Sequence, residues 1–316
     1  MVVMVKPTLE GHQLGNFIIE DLIGEGGMGS VYRARQPAMQ RDVALKVIHL
    51  DMPQVDSERF QERFTREAEL IAGLEHIHIV PVFDYGLADH LAYLAMRLMT
   101  GGTLADLIQG QPLSLERAVE VTGQITQALT YAHAKGVIHS DLKPANIMLD
   151  DSGNVQLTDF GLAKMISGRQ DASYDHISGT PAYMAPEQLR GEITDQRADV
   201  YSLGLIVYLM LTGTRPFDAP SSEIVTVIYQ HLHLQPEPPR KFNPAVPPAV
   251  ERVVMRALEK QPQDRQASAA EFMAELNAAM ASVLSLSYAG SQRMVLILLA
   301  LVLIVILFLI DNDLVG

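Results

Sequence analysis

The chain has 316 residues, 48% of them hydrophobic and 19% charged, which is enough apolar material for a sizeable core in one large domain or two ordinary ones and excludes disorder over most of its length. Its 24 Lys and Arg against 37 Asp and Glu give a formal net charge of −13, which argues against a general phosphate-backbone binder, because such proteins carry a basic face. The absence of cysteine excludes disulfides, thiolate metal sites and thiol catalysis.

Met1 to Gly15 lack the basic-then-apolar pattern and small-residue cleavage site of a secretory signal, so the bulk of the protein is expected in the cytoplasm. Phe17 to Ile23 reads as a strand, followed by a glycine-rich turn and then strands at Ser30 to Arg35 and Arg41 to Leu50, where Val43, Leu45 and Val47 alternate with smaller or polar residues. A charged helix is expected from Ser57 to Leu74, with Phe60, Phe64, Ala68 and Ile71 on one face. Strands at Ile79 to Tyr85 and Leu91 to Met99 complete a small sheet. After a flexible joint near Arg97 to Gly102 the pattern turns helical. The first long helix, Ser114 to Lys135, has Ser114 as N-cap, Gly136 just past its end, and Ala118, Val121, Ile125, Leu129 and Ala132 facing inward.

Ala198 to Thr212 is apolar nearly all round and reads as a buried central helix. Proline-rich connections at Gln235 to Pro248 precede further helices, and Ser268 with Glu271 reads as a capping box opening the last soluble helix. A short polar linker then leads into Met294 to Ile310, 17 consecutive apolar residues without charge, Gly or Pro. At about 1.5 Å per residue the run spans roughly 25 Å, the short end for a membrane span. Arg293 before it and Asp311 and Asp313 after it place the large domain on the cytoplasmic side. The alternative is a buried C-terminal helix, which is expected to show a polar face that this run lacks.

Five short motifs carry chemistry. Gly24-Glu25-Gly26-Gly27-Met28-Gly29-Ser30-Val31 lies between two strands and not before a helix, which disfavours a dinucleotide fold; its glycines let backbone N–H groups approach phosphate oxygens. Val43-Ala44-Leu45-Lys46 follows on the next strand, from which a lysine reaches under the glycine turn, although a strand lysine is ordinarily just solvated. Then come His139-Ser140-Asp141-Leu142-Lys143-Pro144-Ala145-Asn146, Asp159-Phe160-Gly161 and Ala185-Pro186-Glu187. Each alone is weak; five in this order are not a coincidence of composition.

Over Phe17 to Met280 these motifs resemble the eukaryotic-like (Hanks-type) protein kinases, closely the bacterial membrane-anchored serine/threonine kinases. The resemblance implies an α+β bilobal kinase fold, with a small β-rich lobe at 17–99 and a larger helical lobe at 103–280. Around it are expected an N-terminal segment 1–16, a juxtamembrane linker 281–293, a transmembrane helix 294–310 and a short outer tail 311–316. It implies that Gly24, Gly26 and Gly29 cover the phosphates of ATP. Lys46 then binds the α and β phosphates and pairs with Glu67, with Glu62 and Glu69 as rival partners that are more simply solvated. Asp141 accepts the substrate hydroxyl proton, Lys143 steadies the γ-phosphate, and Asn146 and Asp159 hold Mg²⁺, or Mn²⁺ on the same oxygen ligands. Adenine lies between Ile23, Val31 and Ala44 above and Met148 below, against the backbone of Arg97 to Met99, with Met96 guarding the back of the pocket; the same residues also suit ordinary core. Lys143 in Asp-Leu-Lys-Pro resembles the serine/threonine subclass, and Thr180 resembles the threonine that supports Asp141. Glu187 and Arg265 resemble a buried ion pair, and Asp199 the residue that braces the catalytic loop.

The implied activity is that of a non-specific serine/threonine protein kinase at the inner (cell) membrane, single-pass and cytoplasmic in its kinase domain. Its partners are protein Ser/Thr substrates and not nucleic acid, with room for a homodimer. The competing reading is a membrane-tethered pseudokinase scaffold, disfavoured by the retention of Lys46, Asp141, Asn146 and Asp159. Two features depart from the family. Ser140 stands where the family has an arginine that binds phosphate on the activation loop, so basal activity without loop phosphorylation is expected, unless Lys164 or Arg169 replaces it. The six residues after the membrane run are too few to fold as an outer sensor.

Overall fold

Strand β4 (Arg41–His49) shows how the small lobe is built. Its side chains alternate between two apolar clusters: Val43, Leu45 and Val47 pack on one side with Phe17, Ile19 and Tyr32, while Ala44 and Ile48 pack on the other with Phe64, Ala68 and Ile71. Period-2 alternation therefore buries both faces, one under a helix and one in a cluster that includes Leu9 and Leu14. The computed structural model describes residues 9–26, 29–49, 57–88, 91–161, 181–218 and 224–283.

The small-lobe sheet is antiparallel, in the order β1-β2-β3-β4-β6-β5, with β1 Gln13–Leu14, β2 Phe17–Gly26, β3 Gly29–Gln36, β5 Val82–Ala88 and β6 Leu91–Arg97. Five of the six strands correspond to expected ones. The extra strand β1 is two residues long, too short to show a periodicity, and pairs Gln13 with Ile18 and Leu14 with Phe17. Gly15 turns this hairpin at φ +57°, where a Cβ would also stand 2.5 Å from the Tyr93 hydroxyl. The strand expected at Ile79 to Tyr85 begins instead at Val82, directly after Pro81, which has no N–H to give a ladder. Ile79 makes a single parallel bridge to Leu157, supported by Val80 N–H to Leu157 O and Leu157 N–H to His78 O, both 2.9 Å. These bonds stitch the small lobe to the large one. Helix α1 (Ser57–Ala72) lies against the sheet through buried Phe64, Ala68 and Ile71, ending two residues before the expected Leu74.

In the large lobe, α2 (Leu104–Ile108) is capped by Thr103 and α3 (Leu115–Ala134) by Ser114, whose side chain accepts from the amide of Arg117 at 3.2 Å. Gly136 follows α3 at φ +77°, as its position required. A short hairpin of β7 (Ile147–Leu149) and β8 (Val155–Leu157) comes next; three-residue strands carry too little pattern to be anticipated. The central helix runs from Gln196 to Thr212 and is buried nearly all round, as expected from its unbroken apolar surface. We label it α5, after α4 (Pro186–Leu189) and before α6 (Ile224–His233) and α7 (Pro248–Ala257). The last helix, α8, covers 269–283, so the segment expected to be linker from 281 is helical for its first three residues. Its capping box is only half formed: Ser268 Oγ accepts from the amide of Glu271 at 3.1 Å, but the Glu271 carboxylate takes the amide of Ala267, one residue earlier. Among the described residues no helix is long and apolar enough to cross a membrane. The run expected to do so, 294–310, lies outside them.

Candidate active site

Four of the five motifs converge where the two lobes meet. Strands β2 and β3 form a hairpin in which Gly24 pairs with Val31 and Gly26 with Gly29. Gly29 is sterically obligatory: its φ is +144° and a Cβ there would stand 2.1 Å from the carbonyl oxygen of Val47. At Gly26 a Cβ would meet nothing within 4 Å, and at Gly24 only Val31 at 3.8 Å, so at these two positions the backbone is left bare. Lys46, on β4 beside Val31 and Leu94, is nearly buried. Its Nζ donates to Asp159 Oδ2 at 2.7 Å.

Asp141, Lys143 and Asn146 form a second knot. Lys143 Nζ donates to Asp141 Oδ2 at 2.8 Å, and Asn146 Nδ2 donates to both the Asp141 carbonyl (2.9 Å) and Oδ2 (3.1 Å). With the Asn146 amide nitrogen committed to Asp141, its amide oxygen is the acceptor end that remains. The catalytic-loop backbone is held from below by Asp199, whose carboxylate accepts from the amides of His139 and Ser140, each at 2.9 Å, and from His133 Nε2 at 2.7 Å. Burial alone would raise the Asp199 carboxyl; the His133 hydrogen bond, the neighbouring imidazoles and the Ser140 amide outweigh it and hold the group below its ordinary value. Burial likewise lowers His139 against the opposing charges of Asp199, Asp141 and Asp159, so the ring is neutral and its Nδ1 faces the Asp141 amide at 3.4 Å.

Two residues here adopt left-handed backbone although neither is glycine: Ser140 at φ 65° and Asp159 at φ 66°. That conformation costs about 1–2 kcal/mol for an ordinary side chain and persists only where surrounding bonds over-determine it. At Asp159 the restraints are the Lys46 ion pair and the bond from Gly161 N–H to His139 O, with Phe160 buried against the His139 ring at 4.5 Å. At Ser140 they are Asp199 on its N–H and Gln188 Nε2 on its carbonyl, at 2.8 Å.

Most of the expected adenine-site residues sit in or against the main core. Ala44 and Met96 are cross-strand partners and both buried, Met96 Sδ accepting from Thr158 Oγ1 at 3.4 Å. Val31, Met99 and Met148 are half-buried against the main core, and Ile23 is exposed at the rim. Within the segment expected to face adenine, the Arg97 amide is taken by Pro81 O at 3.1 Å, which leaves the Arg97 carbonyl and the backbone of Leu98 and Met99 as the groups that could read a base edge. One expectation is corrected at Glu67: it is half-buried near Gly161, and the ion pair that Lys46 makes is with Asp159, not with Glu67. Glu62 and Glu69 are exposed, as expected of solvated rivals. Thr180, Lys164 and Arg169 lie outside the described residues. Outside the cleft, the Glu187–Arg265 pair is formed and buried.

Sequence reasoning missed His133 and Gln188. His133 is an ordinary residue in the last turn of α3 and carries no local signal. Gln188 did: it stands at the third position of α4, where a Gln side chain reaches back to the amide of the cap residue, and its Oε1 accepts from Ala185 N–H at 2.9 Å. A separate cavity of about 510 Å³, lined by Ile77, Val119, Gln124, Asp150 and Met273 among others, contains none of these site residues. Among the described residues no cluster of three or more His, Asp or Glu side chains is arranged to hold a metal.

The family described as the protein kinase domain matches residues 17–276. The chain is 41% identical over 272 residues to the serine/threonine-protein kinase pkn3 of Myxococcus xanthus, covering 82% of this chain and 49% of that protein. It is 40% identical over 276 residues to the serine/threonine-protein kinase PknB of Mycobacterium tuberculosis, covering 85% and 44%. The chain thus spans about half the length of the curated relatives it matches. The crystal structure of the M. tuberculosis PknI kinase domain superposes with a TM-score of 0.69 at 30% identity, covering 87% of this chain and 100% of that one. With the bilobal fold, the interlobe cluster and a match over 17–276 in agreement, the chain belongs to the protein kinase domain family.

Proposed function

We propose that the chain transfers the γ-phosphoryl group of ATP to serine or threonine hydroxyls of proteins. The observation that carries this is the convergence of Lys46, Asp141, Lys143, Asn146 and Asp159 in one cleft, each fixed by a bond to another member or to the loop backbone. Phosphoryl transfer asks a protein mainly for positioning and charge neutralisation, and these groups supply both. Asp141, held by Lys143 and Asn146, orients the substrate hydroxyl and takes its proton as the oxygen bonds to the γ-phosphorus. The bond from that phosphorus to the β–γ bridging oxygen breaks, and ADP leaves with the electron pair. Lys143 remains beside the transferred group, while Lys46 leaves Asp159 for the α and β phosphates. Pairing of Lys46 with Glu67 then requires Glu67 to rearrange from its place near Gly161.

The Asn146 amide oxygen and the Asp159 carboxylate are hard oxygen donors that fit a divalent cation of the Mg²⁺ type, with phosphate and water completing its shell. Such an ion, when bound, would neutralise charge on the phosphates. We further propose that 294–310 anchors the chain in the cell membrane with the kinase domain cytoplasmic, on the strength of its unbroken apolar composition.

The test is incubation of the full chain with labelled ATP, Mg²⁺ and a generic basic protein, beside Asp141→Asn. Phosphoserine or phosphothreonine formed by the parent and lost in the variant is the expected result. No label from a parent that melts cooperatively and binds ATP refutes the kinase reading in favour of a scaffold. For the anchor, cells expressing the chain with and without 294–310 are fractionated, and full-length protein in the soluble fraction refutes it.

A further inference from the structure

Among the described residues, the Gln188 side chain joins the loop carrying Asp141 to the Ala185–Leu189 segment. Its Nε2 donates to the Ser140 carbonyl at 2.8 Å while its Oε1 accepts from the Ala185 amide at 2.9 Å, so a single half-buried side-chain amide ties the backbone of Ser140 to that of Ala185. The residue it holds is the strained one. Ser140 sits at φ 65° immediately before Asp141, its amide bonded to Asp199 and its carbonyl to Gln188, while its own Oγ is buried without a partner. Serine at 140 offers no long charged side chain to make a tie of its own, so the bond through its carbonyl is a restraint that does not depend on the identity or modification of residue 140.

We infer that Gln188 is a positioning residue for Asp141: it keeps the Ser140 peptide in its left-handed conformation and couples the placement of the catalytic carboxylate to the Ala185–Leu189 segment, without any phosphate. This inference rests on the kinase reading above. Releasing the carbonyl lets Ser140 relax toward an ordinary backbone conformation, and the next residue in the chain is the proton acceptor. The nucleotide contacts proposed for the glycine hairpin and Lys46 lie on other elements and are untouched.

Two variants of the full chain separate this from a merely structural role. Gln188→Met keeps the shape and removes both bonds. Gln188→Glu keeps the acceptor for the Ala185 amide, and hence the helix cap, but sets a carboxylate against the Ser140 carbonyl. Both are expected to lower kcat for protein phosphorylation by about 10- to 100-fold, the scale set by a small misplacement of a catalytic group, with KM for ATP changed less than about twofold. The Glu variant should be no better than the Met variant. If capping is the whole role of Gln188, Glu rescues kcat and the melting temperature together, and the inference is overturned; it is equally overturned if Met lowers the melting temperature but leaves kcat intact. A parent chain without activity refutes the kinase reading itself, whereas an active parent with unaffected Gln188 variants refutes only this inference.

Discussion

Replacement of Arg265 by methionine tests how the large lobe is held together. The Arg265 side chain is 0% exposed and all five of its N–H donors are used. Two form a fork with Glu187, Nη1 to Oε1 at 2.7 Å and Nη2 to Oε2 at 2.8 Å; the others reach the carbonyls of Glu259 (2.8 Å), Arg197 (3.0 Å) and Lys260 (3.2 Å). The guanidinium also lies 4.8 Å over the Tyr201 ring. Removing one partner leaves the Glu187 carboxylate, itself 3% exposed, charged and unpaired, at a cost of about 3–5 kcal/mol. The three carbonyls lose their donor as well, which adds about 1 kcal/mol for each that water does not reach. The expected loss is therefore at least about 3 kcal/mol, read as a fall in the urea midpoint by circular dichroism at unchanged m-value. The double variant Glu187→Met/Arg265→Met removes the orphaned carboxylate and should recover about 2 kcal/mol relative to Arg265→Met. A single-variant loss below about 1.5 kcal/mol, or a double variant as unstable as the sum of the singles, refutes the reasoning.

Three further outcomes are expected. A Cβ at Gly204 would stand 2.8 Å from Ala257 Cβ and 3.0 Å from Leu258 Cδ2, so Gly204→Ala should force α5 and α7 apart. Overpacking of about 1–3 kcal/mol outweighs the roughly 1 kcal/mol gained in helix propensity; a raised melting temperature in a thermal scan would contradict this. Lys260 Nζ is buried without a hydrogen-bond partner, 4.4 Å over the Phe217 ring, and burial, with the Arg265 charge, lowers its pKa to about 8 from 10.5. Between those two values the unfolded chain binds more protons at this site than the folded one, so folding stability contributed by the site rises with pH across the window. Lys260→Met should accordingly be more stable than the parent at pH 7, with the advantage shrinking from pH 8 to 10; a constant difference between the two melting curves argues against a buried ammonium. Finally, Ser140 cannot form a charge-assisted fork with a phosphate. Phosphatase treatment should therefore leave basal kinase activity, and a fall to background would show that loop phosphorylation is required after all.

Much of the small lobe was legible because its signals are local. Alternation at Val43, Leu45 and Val47, helical spacing at Phe64, Ala68 and Ile71, and the Ser114 and Gly136 ends of α3 each act within a few residues, where sterics and backbone hydrogen bonding decide the outcome. The motif residues were legible too, since the chemistry demands particular side chains at particular separations. Strands of two or three residues, such as β1, β7 and β8, carry no such period and form only because distant chain completes their pairing.

The partner each site residue takes is not local. The sequence offers Lys46 both Glu67 and Asp159 as partners, and the packing of the two lobes puts Asp159 at 2.7 Å in this structure. That Asp199 braces the loop through two amides, that His133 supports it, and that Gln188 straps Ser140 from 48 residues away depend on the central helix and α4 arriving beneath the catalytic loop. Residue identities and spacing by themselves pointed to the side chains proposed to carry the chemistry and to the longer strands and helices. Only the tertiary structure decided which of those side chains touch, because a hydrogen bond or ion pair is set by positions to a fraction of an ångström, and those positions come from the packing of elements far apart in the chain.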